Sequence, residues 1–272
     1  MKSISKIFID SVRKNKQIEV LAYLVQNYLG INYQGWGRFA ENPENMHEHF
    51  KQISENYVTQ LSPEAFKDKV VLELGTGFSR SGMLHLVKKY QVKQVYCYDR
   101  FNCLVEDEIN IIREEGLEEY LHKITYIVGD YEKVINEIGE GMVDTVVSNA
   151  VLEFVDDLDR LAKALYTVMK HNSLAFHKVD LKCHNKFKSQ GELYFHTFSS
   201  SLWKAMGERV GQLNRKLRKD YIEVFTNNSF ECRAIDRDVF SSEILSDAAL
   251  YLNSDDIEDF QTSELDLFLV KN

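Results

Sequence analysis

Residues 70–82 read "VVLELGTGFSRSG". An apolar run of strand composition delivers an acid, Glu73, to a turn built on Gly75, Thr76 and Gly77, and a helical pattern follows. Glycines let a backbone approach a ligand closely, and a helix N-terminus offers unpaired amides. Alone, the same pattern also fits an ordinary connection between a strand and a helix. Its neighbours decide between the two.

Downstream the texture alternates. "VKQVYCYD" reads as a strand ending at Asp99, with a helix over about 101–115. "KITYIVGD" ends at Asp130, with a helix to about 139; "VDTVVSNA" follows, then a helix over 156–171 and a fifth strand, "SLAFHKVDL". Strand–helix alternation of this kind predicts a doubly wound α/β sheet, mostly parallel, with helices on both faces. The tail changes character: helices are expected over 193–206 and 213–227, then two strands, "FECRAIDRDVF" and "ELDLFLVKN", close enough to pair. That makes seven strands. Upstream, residues 17–29 keep helical spacing with Gly30 as a cap, and a second helix follows Pro43. Residues 1–60 are therefore expected to form an N-terminal helical cap, and 61–272 the main domain.

The chain has 272 residues and a net charge of −9, from 33 basic and 42 acidic side chains. An average field of that sign repels a phosphate backbone, so nucleic acid is not the expected partner. The four cysteines lack CxxC spacing and read as free thiols in a reducing cytoplasm. No run approaches the roughly 18 apolar residues of a membrane span, and the N-terminus lacks the apolar core of a signal peptide.

Four successive strand ends thus carry polar groups on the side where open sheets bind ligands. The ordered set "VVLELGTG", "VYCYD", "VGD" and "VDTVVSNAVLEF" resembles the class I S-adenosylmethionine-dependent methyltransferases, over roughly residues 65–272. The resemblance implies their Rossmann-like fold and their cofactor, S-adenosylmethionine. It implies that Glu73, Gly75, Thr76 and Gly77 line the methionine part. Asp99 would hold the ribose, with Arg100 beside it tuning which atom is reached. Asp130 and Tyr131 would lie near the adenine, and Asn149 near the methionine end. Two features depart from the pattern. Ser79 replaces a third glycine, and Glu73 to Asp99 is longer than the about 20 residues typical of such a fingerprint. A nicotinamide dinucleotide would want G-x-G-x-x-G, and Arg80 stands where its last glycine belongs.

The fifth strand runs into "HKVDLKCH", residues 177–184. In this fold its end lies beside "SNAVLEF", where the methyl acceptor binds, so His177, Asp180 and His184 become candidates for acid–base and positioning work, with Glu153 beside the acceptor. Structural and metal-binding readings of the same cluster stay open; no metal is expected, because no further ligand is evident. A sulfonium methyl is already activated, and a hydroxyl acceptor needs a base, a role histidine suits near neutral pH. His184, past the strand end, is the preferred base. Three segments, "FHKVDLKCH", "LYFHTFSSSLWKAM" and "LNRKLRKDYIEVF", look like a subgroup of bacterial small-molecule methyltransferases associated with capsule, O-antigen or other glycan biosynthesis. Asn214, Arg215 and Arg218 in the last segment read either as a solvated face or as a clamp for an anionic acceptor. Tyr33, Trp36 and Arg38, in an aromatic loop, are read as a lid or as packing of the cap. The expectation is methyl transfer to an oxygen, with nitrogen second, of a small polar acceptor such as a glycan precursor. A non-catalytic cofactor-binding subunit and a protein or RNA acceptor are the alternatives.

Overall fold

The computed structural model describes residues 14–30, 43–106, 108–209, 211–252 and 257–272. Tyr33, Trp36 and Arg38 lie outside these residues. Helix α1 (Lys16–Leu29) starts where the Asn15 side chain accepts the Gln17 and Ile18 amides and stops at Gly30 in the left-handed region. Helix α2 (Pro43–Leu61) follows.

The sheet has the order β3-β2-β1-β4-β5-β7-β6. Its first five strands, β1 (Val70–Leu74), β2 (Gln94–Asp99), β3 (Ile124–Val128), β4 (Val143–Asn149) and β5 (Met169–Asp180), are mutually parallel. The chain reverses through β1, running outward to β2 and β3 and then across to β4, which leaves a crevice above the C-terminal ends of β1 and β4. Strand β7 (Thr262–Lys271) inserts antiparallel between β5 and β6 (Phe230–Val239).

Strand alternation divides the core. Leu72 and Leu74 of β1 join Val146, Ala175 and Leu267 on one face, under α5 (Tyr131–Ile138), α6 (Leu158–Val168) and α8 (Arg218–Asn227). Val71 joins Val95, Val147 and Phe176 on the other, where Tyr57 and Val58 of α2 and Met83, Leu86 and Val87 of α3 (Ser81–Tyr90) close it. Every residue of β1 is buried, as a central parallel strand requires. At roughly 1.5–3 kcal/mol for each large apolar side chain, these two layers supply the main force holding the helices to the sheet.

Three helix boundaries differ from expectation. Helix α4 (Glu108–Glu114) begins later than residue 101, because the Asp99 carboxylate takes the Phe101 amide and Phe78 O takes the Val105 amide, holding 101–105 as a loop. The helix expected from 213 starts at Arg218, where Asp220 Oδ2 accepts the Leu217 amide at 2.8 Å. Leu213 and Leu217 therefore do not share a helix face with Tyr221. The span 193–206 splits into a 3₁₀ turn (Tyr194–Thr197) and α7 (Ser200–Gly207), capped by the Ser199 hydroxyl.

Candidate functional site

The turn after β1 is shaped by sterics. Gly75 (φ 70) and Gly77 (φ 67) both need the left-handed region, and the Gly75 and Thr76 amides both donate to Tyr98 O, at 2.8 and 3.1 Å. A Cβ on Gly75 would lie 2.2 Å from Val151 Cγ2, so this glycine is also required by the loop after β4. A Cβ on Gly77 would meet only ordinary van der Waals contact, its nearest neighbour, Phe50 of α2, lying 3.8 Å away.

Asp99 ends β2 beside this turn. Its Oδ2 accepts the Gly77 amide at 3.0 Å and its Oδ1 the Phe101 amide at 3.1 Å. Oδ1 also takes the Cys103 thiol at 3.9 Å, whereas Oδ2 keeps a lone pair for a further donor such as a ribose hydroxyl. Burial pushes the Asp99 carboxyl above its usual range, and the backbone amides hold it back. Glu73 lies one strand away, buried, with the Cys97 thiol 3.8 Å from its Oε2. Burial raises its carboxyl to about 7, against the pull of the Thr76 hydroxyl. Tyr131 packs against Tyr98 with ring centroids 6.1 Å apart, and Asp130 caps α5 by accepting the Lys133 amide. Arg100 points outward to Asp156 at 3.1 Å.

The N-terminus of α3 is occupied from within. Glu108 Oε1 accepts the Arg80 backbone amide at 2.5 Å, and its carboxylate meets the Arg80 guanidinium at 2.7–3.2 Å. A helix start whose first free amide is already taken by a carboxylate offers a pyrophosphate one donor fewer. Both features, a helix start with an occupied amide and the carboxyls of buried Glu73 and half-buried Asp99 at the ends of β1 and β2, fit a cationic nucleoside such as S-adenosylmethionine better than a dinucleotide. The close helix approach that a third glycine would give comes from Gly82 instead, where a Cβ would meet Phe50 O at 2.5 Å. Neither Glu108 nor Gly82 stood out in the sequence. Glu108 is 28 residues from its partner, and Gly82 acts on a helix rather than on the sheet.

The sheet then separates the residues of the 177–184 segment. His177 sits inside β5 opposite Ser148, fully buried, with its Nδ1 2.8 Å from Ser148 Oγ and its ring stacked on Phe225. Burial drives its pKa down to about 3. It does not line the cleft at the end of β5: three residues from Asp180, it faces the opposite side of the strand. Asp180 and His184 do come together. His184 Nε2 is 3.7 Å from Asp180 Oδ2 and 3.7 Å from Glu153 Oε1, and its ring meets Phe154 edge-on. Burial lowers the His184 pKa, opposed by Asp180. His184 itself has φ 49, just past the strand end. Burial pushes Glu153 well above the usual carboxylate range. No group of three or more His, Cys, Asp or Glu among the described residues is arranged to hold a metal. Asn149 ends β4 beside Lys178 of β5, adjoining this cluster.

A narrow cleft lies at the end of β5, lined by Glu153, Asp180, His196 and the 213–216 segment. Asn214 in that segment is a brace: its Nδ2 donates to Leu152 O and Val155 O, and its Oδ1 accepts from Lys216 N and Tyr221 Oη. Arg218 is engaged by Asp236 at 2.9 Å and Ala234 O at 3.1 Å, outside the cleft. The expected two-arginine clamp is thus reduced to Arg215, since the helix that would pair them starts too late. His196 was not singled out from the sequence; burial and then the nearby Arg215 lower its pKa to about 3.

Residues 72–176, which span β1 to most of β5, match the family described as a methyltransferase domain. The chain carries a class I, S-adenosylmethionine-dependent methyltransferase domain. No curated protein matches the chain. Among solved structures, this methyltransferase fold is shared with a putative sarcosine dimethylglycine methyltransferase from Galdieria sulphuraria (14% identity, TM-score 0.52, 89% of this chain and 92% of that one). It is shared too with the YcgJ protein of Bacillus subtilis (12% identity, TM-score 0.51, 83% and 99%). A phosphoethanolamine N-methyltransferase 2 of Haemonchus contortus, solved with S-adenosyl-L-methionine, aligns at 16% identity and TM-score 0.49 over 76% of this chain; the match spans 49% of that longer protein. No described helix is long and apolar enough to cross a membrane.

Proposed function

We propose that the methyltransferase domain acts on an oxygen, with nitrogen second, of a small polar acceptor bound at the end of β5, a glycan precursor being the favoured class. The observation that carries this reading is His184, bracketed at 3.7 Å by Asp180 and Glu153 beside the cleft. S-adenosylmethionine supplies a methyl already activated on a sulfonium. The chain's task is alignment of the acceptor and removal of its proton. His184, kept neutral by burial, offers a lone pair to the acceptor hydroxyl, and Asp180 stabilises the imidazolium once the proton arrives. Glu73 and Asp99 are assigned to the cofactor, with Gly75, Thr76 and Gly77 as its floor, Asp130 and Tyr131 toward the base, and Asn149 toward the reacting end. In this reading residues 1–60 act as a cap on the domain over 61–272; α2 sets Phe50 beside Gly77.

The test is methyl transfer from labelled S-adenosylmethionine into host extract, separated into small-molecule, glycolipid, protein and RNA fractions. Label in small molecules is the expected result; label only in protein or RNA overturns the acceptor class. His184→Ala should cut turnover about 10²–10⁴-fold with cofactor affinity unchanged. Full turnover in that variant would remove His184 as the base.

A further inference from the structure

Two side chains on the walls of the cleft lack the partners their chemistry demands. Glu153 is 2% exposed, yet beyond weak approaches of its own backbone amide and that of Asp180 neither carboxyl oxygen has a hydrogen-bond partner of good geometry. A buried polar group left in that state costs about 1–3 kcal/mol, so it is expected to meet a donor in its working state. The second side chain is Arg215. Its left-handed backbone (φ 61) turns it in from the segment before α8. There its guanidinium donates to Phe198 O at 2.5 Å and approaches Ser200 Oγ at 3.4 Å, with the Trp203 ring 5.3 Å away. These partners are neutral. Among the described residues Arg215 has no carboxylate, whereas Arg218 has Asp236 and Lys182 has Glu264. Burial lowers the Arg215 pKa, as expected for a half-buried cation without a counter-ion.

We propose that the acceptor is a small anionic alcohol or amine, its carboxylate or phosphate held by Arg215 and its hydroxyl or amino group by the Glu153 carboxyl. The proposal rests on the acceptor-cleft reading above and names the chemistry of its occupant. Each end supplies what the wall lacks. The anion neutralises Arg215, with Lys216 on the same wall. The protic group donates to Glu153 and so lies next to His184, whose Nε2 is 3.7 Å from Glu153 Oε1. The group to be methylated and the group that takes its proton are thereby neighbours. An apolar acceptor would leave both walls unsatisfied, and a plain alcohol would leave Arg215 uncompensated.

Binding is measured by ligand-observed NMR on the full chain saturated with S-adenosylhomocysteine, so no methyl transfer is required. The probes are 3-hydroxybutyrate, butyrate, 2-butanol and glycerol 3-phosphate. The expected result is that 3-hydroxybutyrate or glycerol 3-phosphate binds at least about tenfold tighter than butyrate and 2-butanol. Which of the two binds better selects carboxylate or phosphate. Arg215→Gln should erase the advantage of the anionic probes over 2-butanol, and Arg215→Lys should restore part of it. Glu153→Leu should erase the advantage of 3-hydroxybutyrate over butyrate, and Glu153→Gln should keep most of it. Unchanged S-adenosylhomocysteine affinity certifies that each variant is folded. Equal binding of all four probes, no binding of any, or variants that leave the ranking intact overturns the proposal. The extract experiment separately decides whether methyl transfer occurs.

Discussion

Gly75→Ala tests the geometry of the turn after β1 most directly. The new methyl faces two separate penalties. The first is conformational: φ 70 places a non-glycine residue in the left-handed region, at about 1–2 kcal/mol. The second is a collision with Val151 Cγ2 at 2.2 Å and Cγ1 at 3.0 Å, an overpacking of about 1–3 kcal/mol. Gly77→Ala is the matched control. It carries nearly the same φ, 67, but its Cβ has 3.8 Å to the nearest atom, so only the first penalty applies. Urea denaturation of both variants should therefore show Gly75→Ala less stable than Gly77→Ala by about 1–3 kcal/mol, with the m-value unchanged. Val151→Ala removes both colliding atoms and leaves Cβ at 3.2 Å. In the double-mutant cycle Gly75→Ala and Val151→Ala should couple favourably by about the same amount. Equal destabilisation at the two glycines, or no coupling, would refute the claim that Val151 of the β4 loop dictates the glycine of the β1 loop.

Three further expectations follow from buried charge. Arg80→Met strands the Glu108 carboxylate, 3% exposed, and should cost about 3–5 kcal/mol in denaturant melts; Arg80→Met with Glu108→Leu should recover much of it. His177 contributes through pH. Its folded pKa, pushed by burial to about 3, lies below its unfolded value of 6.5, so its stabilisation is complete above pH 6.5 and is lost as pH falls toward 3. Wild type should lose stability there with up to about 1.4 kcal/mol per pH unit more slope than His177→Asn, and parallel curves would remove this assignment. Glu73, raised by burial to about 7, should give S-adenosylmethionine affinity an inflection near that pH, with tighter binding above it where the carboxylate meets the cationic cofactor. The curve should flatten in Glu73→Gln; an inflection surviving in that variant means another group is responsible.

Strand identity was legible in the sequence because it rests on local chemistry. "VVLEL", "VYCY" and "VVSN" are apolar runs ended by polar residues, and the sheet follows them almost residue for residue. The helix before β6 starts later than the sequence predicts because hydrophobic spacing over Leu213, Leu217 and Tyr221 imitates a helix, while Asn214 spends its side chain bracing the 152–155 loop. That competition involves partners about 60 residues away, which no window on the sequence contains. The split between His177 and Asp180 was partly readable: residues three apart on a strand face opposite ways. The unpaired state of Arg215 was not, since it depends on which acids other cations have already taken.

The placement of β7 between β5 and β6 has a consequence for synthesis on the ribosome. The strand that occupies this interior position, residues 262–271, emerges after all six others. Until then β5 presents its outer edge unpaired and β6 has no neighbour in the sheet, because each pairs on that side through β7. An unpaired edge of buried, apolar strand composition is a template for intermolecular pairing. The half-made chain is thus most exposed to aggregation at the outer edge of β5, and a nascent-chain chaperone would be needed there longest.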